Sequence, residues 1–171
     1  MHLMLVNDDG IRAPGLRAMC EAAVKAGHKV SICAPDEERS AASHSISLRK
    51  KMRAVKQDYP GAETAYAADG MPADCARLGL YLIPDVDVVI SGINNGSNMG
   101  GACIYSGTVA AATEASMSGT PALAVSLCAY NAEDYSAAAK VALKVVEWME
   151  THPLPRGAIY NLNVQIGRAH V

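Results

Sequence analysis

Five short, largely apolar runs, His2–Val6, Lys29–Ala34, Asp87–Ser91, Ala122–Leu127 and Ile159–Val164, recur along the chain with helix-patterned segments between them. Runs of this length that do not alternate apolar with polar read as strands covered on both faces. Separated by helices, such strands make a parallel sheet with right-handed crossovers. The expectation is therefore an α/β fold: a doubly wound, Rossmann-like, mainly parallel sheet in three α/β/α layers. The helical patterns carry their own punctuation. Leu16, Met19, Cys20 and Ala23 share a face between Pro14 and Gly27, and a second helix opens at Pro72 with Ala76, Leu80 and Leu82 expected inside, stopped by Pro84. An Ala-rich helix over 110–118 and a long amphipathic one over 132–149 complete the set. Residues 48–68 are the least regular stretch and are expected to form strands at a sheet edge.

Half of the 171 residues are hydrophobic, enough for one domain with a substantial core, and disorder or a fibrous class is excluded. A net charge of -2 with no basic run offers no stripe that could track a nucleic-acid polymer. No apolar run is long enough to span a bilayer, so no membrane partner is expected. The five cysteines, Cys20, Cys33, Cys75, Cys103 and Cys128, never form a Cys-x-x-Cys pair, which points to a reducing compartment and a cytoplasmic location.

In open α/β sheets ligands bind beyond the carboxyl ends of the strands, and three of this chain's strand ends carry distinctive loops. The first run stops at Asn7-Asp8-Asp9-Gly10, where adjacent carboxylates either cap the following helix or face a cation. The second opens into a polar loop with Ser40, Ser43, Ser45 and Ser47. The third runs into Gly92-Ile93-Asn94-Asn95-Gly96-Ser97-Asn98-Met99-Gly100-Gly101, rich in glycine for close backbone approach and in uncharged amides. Ser106-Gly107-Thr108 then begins a helix whose free N–H groups form an anion site. Carboxylate, hydroxyl and amide oxygens suit a hard divalent ion, and a helix-bound oxyanion beside it suggests phosphate ester hydrolysis. His44 lies in the serine loop and is assigned no role.

Asn7-Asp8-Asp9-Gly10, Ala34-Pro35 with Arg39-Ser40, Pro72-Ala73-Asp74-Cys75, the loop from Ser91 to Gly100 and Tyr105-Ser106-Gly107-Thr108-Val109 resemble, in order, the motifs of the SurE family of survival proteins. Those are divalent-metal-dependent 5'-nucleotidases. The resemblance implies that Asp8, Asp9, Ser40 and Asn94 hold one divalent metal ion, Mg²⁺ or Mn²⁺. It also implies that Asn98, Ser106, Gly107 and Thr108 bind phosphate, and that Asp8 and Asp9 are catalytic, Asp8 as nucleophile or as ligand only. The implied substrates are nucleoside 5'-monophosphates, with 3'-monophosphates and short polyphosphate in some members. Ala41, Met71 and Ala115 depart from residues common in the family (Gly, Thr and Gly) without touching those positions.

Family members continue past Asn161-Leu162-Asn163-Val164 into an arm used in assembling homo-oligomers. Gln165-Ile166-Gly167-Arg168-Ala169-His170-Val171 instead back-translates to a common sequencing-adapter oligonucleotide. The expectation is one SurE-like domain over 1–164 and a non-native tail over 165–171. Two other readings stand beside the enzyme: a truncated, poorly active fragment that binds metal and nucleotide, and a receiver-like domain phosphorylated on its Asp pair.

Overall fold

The computed structural model describes residues 1–166, so most of the expected non-native tail, 167–171, lies outside the described residues. Strands β1 (His2–Val6), β2 (Lys29–Pro35), β3 (Ala54–Gln57), β4 (Thr64–Ala68), β5 (Val88–Asn95), β6 (Ala122–Leu127) and β7 (Tyr160–Val164) form one sheet in the order β3-β4-β2-β1-β5-β6-β7. Every neighbouring pair is parallel except β3 with β4. The helices are α1 (Pro14–Lys25), α2 (Pro72–Leu82), α3 (Ala102–Tyr105), α4 (Gly107–Met117) and α5 (Ser136–Met149).

All five residues of β1 are buried, as are all six of β6, because the sheet is covered on both faces. On one face α1 and α5 pack Leu16, Met19, Ala139 and Val146 against Leu3, Leu5, Ile90 and Val125. On the other, α2 and α4 close over Met4, Val6, Cys33 and Val89 with the small residues Cys75, Ala76, Ala111 and Ala115. The three-layer α/β/α expectation holds.

Two helical and strand details differ from the sequence reading. In α2, Leu82 is exposed and Leu80 only half-buried. Gly79 takes the inward position because its backbone lies on the sheet, where an added Cβ would come within 2.6 Å of Met4 Sδ and 2.7 Å of Cys33 Cβ. Strand β5 does not end at Ser91 but continues to Asn95, so four of the ten residues of the expected Gly/Asn loop are sheet. The register shifts between Ser91 and Asn94, Ile93 is buried, and Gly92 passes so near β6 that a Cβ there would meet the Val125 carbonyl oxygen at 2.3 Å.

From β1 the chain builds outward to β2 and β4, then returns across β1 to place β5 on its other side. The reversal creates a topological switch point between β1 and β5, the place where doubly wound sheets open a crevice. The loops leaving β1, β2 and β5 meet at that edge.

Candidate active site

An open cavity beyond these strand ends is lined by Asp8, Asp9, Glu38, Ser40, Asn94, Asn95, Asn98, Ala102, Tyr105 and Ser106. All four residues of the implied metal set, Asp8, Asp9, Ser40 and Asn94, are therefore brought to one place from the loops after β1 and β2 and from the end of β5. Neither Asp8 nor Asp9 caps α1: its N-cap is Ala13, with no side-chain hydrogen bond. That removes the alternative reading of the pair.

Asp8 is held from the side of α4. It is almost fully buried, and its Oδ1 accepts a 2.6 Å hydrogen bond from the Thr108 hydroxyl. Burial raises its pKa above the ordinary carboxyl value, against the lowering effect of the Thr108 bond. Asp9 is pushed up to about 7, by burial first and then by the neighbouring charges of Asp8 and Glu38. Three carboxylates thus share one cavity, and a divalent cation would relieve their mutual repulsion. The approach of α4 to Asp8 also explains Gly107, where a Cβ would fall 2.8 Å from Asp8 Cβ and 2.9 Å from Pro72 Cγ.

The loop between β2 and β3 is fixed by backbone and side-chain bonds at several points. Arg39 N–H donates to the Asp8 carbonyl oxygen at 2.7 Å, and Ser43 donates through N–H to the Tyr105 carbonyl at 3.0 Å and through its hydroxyl to the Ile104 carbonyl at 2.8 Å. His44 Nε2 pairs with Glu114 Oε2 on α4 at 2.9 Å, and Arg77 of α2 reaches the same carboxylate at 3.4 Å. Asp74 of α2 accepts the Ser47 N–H at 3.0 Å. His44, unassigned in the sequence, is thus an anchor of the loop that carries Ser40.

Asn94 donates its amide N–H to the Gly96 carbonyl at 2.8 Å, which leaves the oxygen end of the side chain for a ligand. Asn98 is tied down more completely. Its side-chain N–H donates to Ser126 Oγ at 2.9 Å, its N–H to Asn163 Oδ1 at 2.8 Å, and its carbonyl accepts from Asn161 at 2.9 Å and Asn163 at 3.2 Å. Asn161 and Asn163 of β7 therefore support the site, a role their place in a strand did not suggest.

The implied phosphate set divides in the structure. Asn98 and Ser106 line the cavity, whereas Thr108 is wholly buried and its hydroxyl is committed to Asp8, which corrects the expectation of a free donor there. Ser106 Oγ accepts the Val109 N–H at 3.1 Å as the N-cap of α4. Glu38 was missed; the signal was an acid two residues before Ser40 at the end of an apolar run.

Among the described residues no three His, Cys, Asp or Glu side chains gather as a metal cluster. The donor set is instead two carboxylates with a hydroxyl and an amide oxygen, and all-oxygen sets of this kind fit a hard divalent cation rather than zinc.

A doubly wound α/β domain with an acidic cavity at its topological switch point, beside a helix N-terminus, defines the class of fold to which the chain belongs. Within it, the family model described as "Survival protein SurE" matches residues 3–169. The chain belongs to the SurE family. It is 45% identical over 167 residues to a protein named 5'-nucleotidase SurE from Methylococcus capsulatus, covering 96% of this chain and 64% of the relative. A 5'-nucleotidase SurE from Pseudoalteromonas atlantica is 43% identical, over 96% of this chain and 65% of its own length. The crystal structure of the SurE protein from Aquifex aeolicus superposes with a TM-score of 0.85 at 33% identity, over 98% of this chain and 67% of that one. The chain thus spans about 64–65% of the length of these curated relatives.

Proposed function

We propose that this chain is a divalent-cation-dependent phosphomonoesterase that hydrolyses nucleoside 5'-monophosphates, with 3'-monophosphates and short polyphosphate as further substrates. The observation that carries the reading is the convergence of Asp8, Asp9, Ser40 and Asn94 on one cavity beside the start of α4. The names of the longer relatives, 5'-nucleotidase, supply the substrate class.

In this reading Asp8, Asp9, Ser40 and Asn94 hold one Mg²⁺ or Mn²⁺, which would polarise a phosphoryl oxygen and make a bound water more acidic. Asp8 is set in place by Thr108, so Thr108 acts through Asp8 rather than on the ester. Asp9 is the less buried of the two acids and lines the same cavity. Ser106, Gly107 and Asn98, with the helix dipole of α4 behind them, receive the phosphoryl oxygens and stabilise the charge that develops on them. Among the described residues no disulfide forms and all five cysteines are free, which supports a reducing, cytoplasmic location. No described helix is long and apolar enough to cross a membrane.

The test is phosphate release from a nucleoside 5'-monophosphate with Mg²⁺ or Mn²⁺. Turnover is expected to vanish in EDTA and to fall by at least about a hundredfold in Asp9→Asn; undiminished turnover in EDTA would reject the mechanism. Because the chain covers about two thirds of its relatives' length, a second reading is a fragment that binds cation and nucleotide without turnover. Metal-dependent nucleotide binding with no phosphate released would favour it.

A further inference from the structure

Glu38 belongs to none of the ligand sets considered so far, yet it stands in the cavity with them. Of the successive acids Asp36, Glu37 and Glu38, the first two pair with Arg39, at 3.2 Å and 3.0 Å. Glu38 turns the other way. It lines the cavity beside Asp8 and Asp9, its charge bears on both of them, and its Oε1 accepts the hydrogen bond of the Ser40 hydroxyl.

A serine that ligates a cation while still protonated does so through an oxygen lone pair, so its proton has to point elsewhere. Acceptors outside the ligand set perform this service in metal sites, fixing the ligand's orientation and raising its basicity. The Arg39 N–H bond to the Asp8 carbonyl ties the residue between Glu38 and Ser40 to the loop that follows β1.

We propose that Glu38 is a positioning residue for the cation site: it accepts the Ser40 hydroxyl proton and thereby presents the Ser40 oxygen to a divalent ion shared with Asp8, Asp9 and Asn94. The proposal rests on the reading of this cavity as a cation site. Ser40 is then a ligand only in company with Glu38, and the acidic loop becomes part of the site instead of a solvated connection.

Direct Mn²⁺ titration of the full chain, read by the loss of the free-ion electron paramagnetic resonance signal, tests this without relying on turnover. The variants are Asp9→Asn, Glu38→Ala, Glu38→Gln, Ser40→Ala and the Glu38→Ala/Ser40→Ala pair. Glu38 and Ser40 are exposed, and unchanged circular dichroism would certify each fold. Wild type should bind, Asp9→Asn should not, and Glu38→Ala should weaken binding by about tenfold or more. Glu38→Gln, which keeps an oxygen acceptor, should recover most of that loss. In the Ser40→Ala background the Glu38→Ala change should cost little further, because its hydroxyl partner is gone. An equal loss from Glu38→Ala with and without Ser40 would overturn the proposal, as would no loss at all or a Glu38→Gln as weak as Glu38→Ala. Mn²⁺ binding that survives Asp9→Asn would overturn the cation-site reading and this inference together, a result distinguishable from the others.

Discussion

Thr108 is wholly buried, and among the described residues its hydroxyl is the one side-chain donor to the nearly buried Asp8. Replacing it with valine keeps the shape and removes the donor, leaving a buried carboxylate oxygen without its partner. Thr108→Val should therefore destabilise the chain by about 1–3 kcal/mol in chemical denaturation near neutral pH; a change below about 0.5 kcal/mol would contradict this account of Asp8. Asp8 and Asp9 stand out in the sequence because they close an apolar run, whereas Ser40 and Asn94 are singled out within their polar stretches only by the resemblance to the family. The direction of a hydrogen bond was not legible there. Whether Thr108 faces an ester or a neighbouring carboxylate depends on how closely α4 approaches β1, and the sequence hint of that approach, Gly107, is also what a phosphate loop would show. Ala41 sits at φ 54°, in the left-handed region that favours glycine, which accounts for the glycine common there in the family.

At the scale of elements, α1 lies directly on the bulged part of β5. A Cβ on Gly15 would come within 2.0 Å of the Ile93 carbonyl oxygen and 3.3 Å of the Tyr135 ring. Gly15→Ala should cost more than about 3 kcal/mol or prevent folding, and a wild-type denaturation midpoint would show that α1 is not packed as described. The start of α5 depends on Asp134, whose carboxylate accepts the Ser136 N–H at 2.7 Å and its hydroxyl at 3.1 Å. These bonds hold the Asp134 carboxyl below its ordinary value, so the stability they give is present above about pH 4 and is lost as pH falls through the folded-state value. The difference in melting temperature between wild type and Asp134→Ala should thus be present at pH 7 and shrink in acid. A difference that grows on acidification would be the wrong sign. The extension of β5 past Ser91 was hidden because Gly92 and two asparagines carry a loop composition, while what keeps them in the sheet is pairing with β6, a contact distant in sequence. The edge strand β3 and its neighbour β4 were located only as a region, since exposed positions such as Lys56 and Gln57 leave the edge strand with little apolar pattern.

For the whole molecule, the alternation of strands and helices sufficed to foresee the three layers, but the strand order was not written in any one segment. The return across β1 is what puts the β1 and β5 loops side by side, and α4 behind them, so the site is a product of topology more than of any motif. The central claim is that Asp8, Asp9, Ser40 and Asn94 together form a divalent-cation site at this switch point. Anomalous scattering from crystals of this chain grown with Mn²⁺ tests it most directly. The account predicts one strong peak among those four side chains at ligand distances of about 2.0–2.6 Å, lost in Asp9→Asn. A fully occupied peak elsewhere, with none between Asp8 and Asn94, would contradict it.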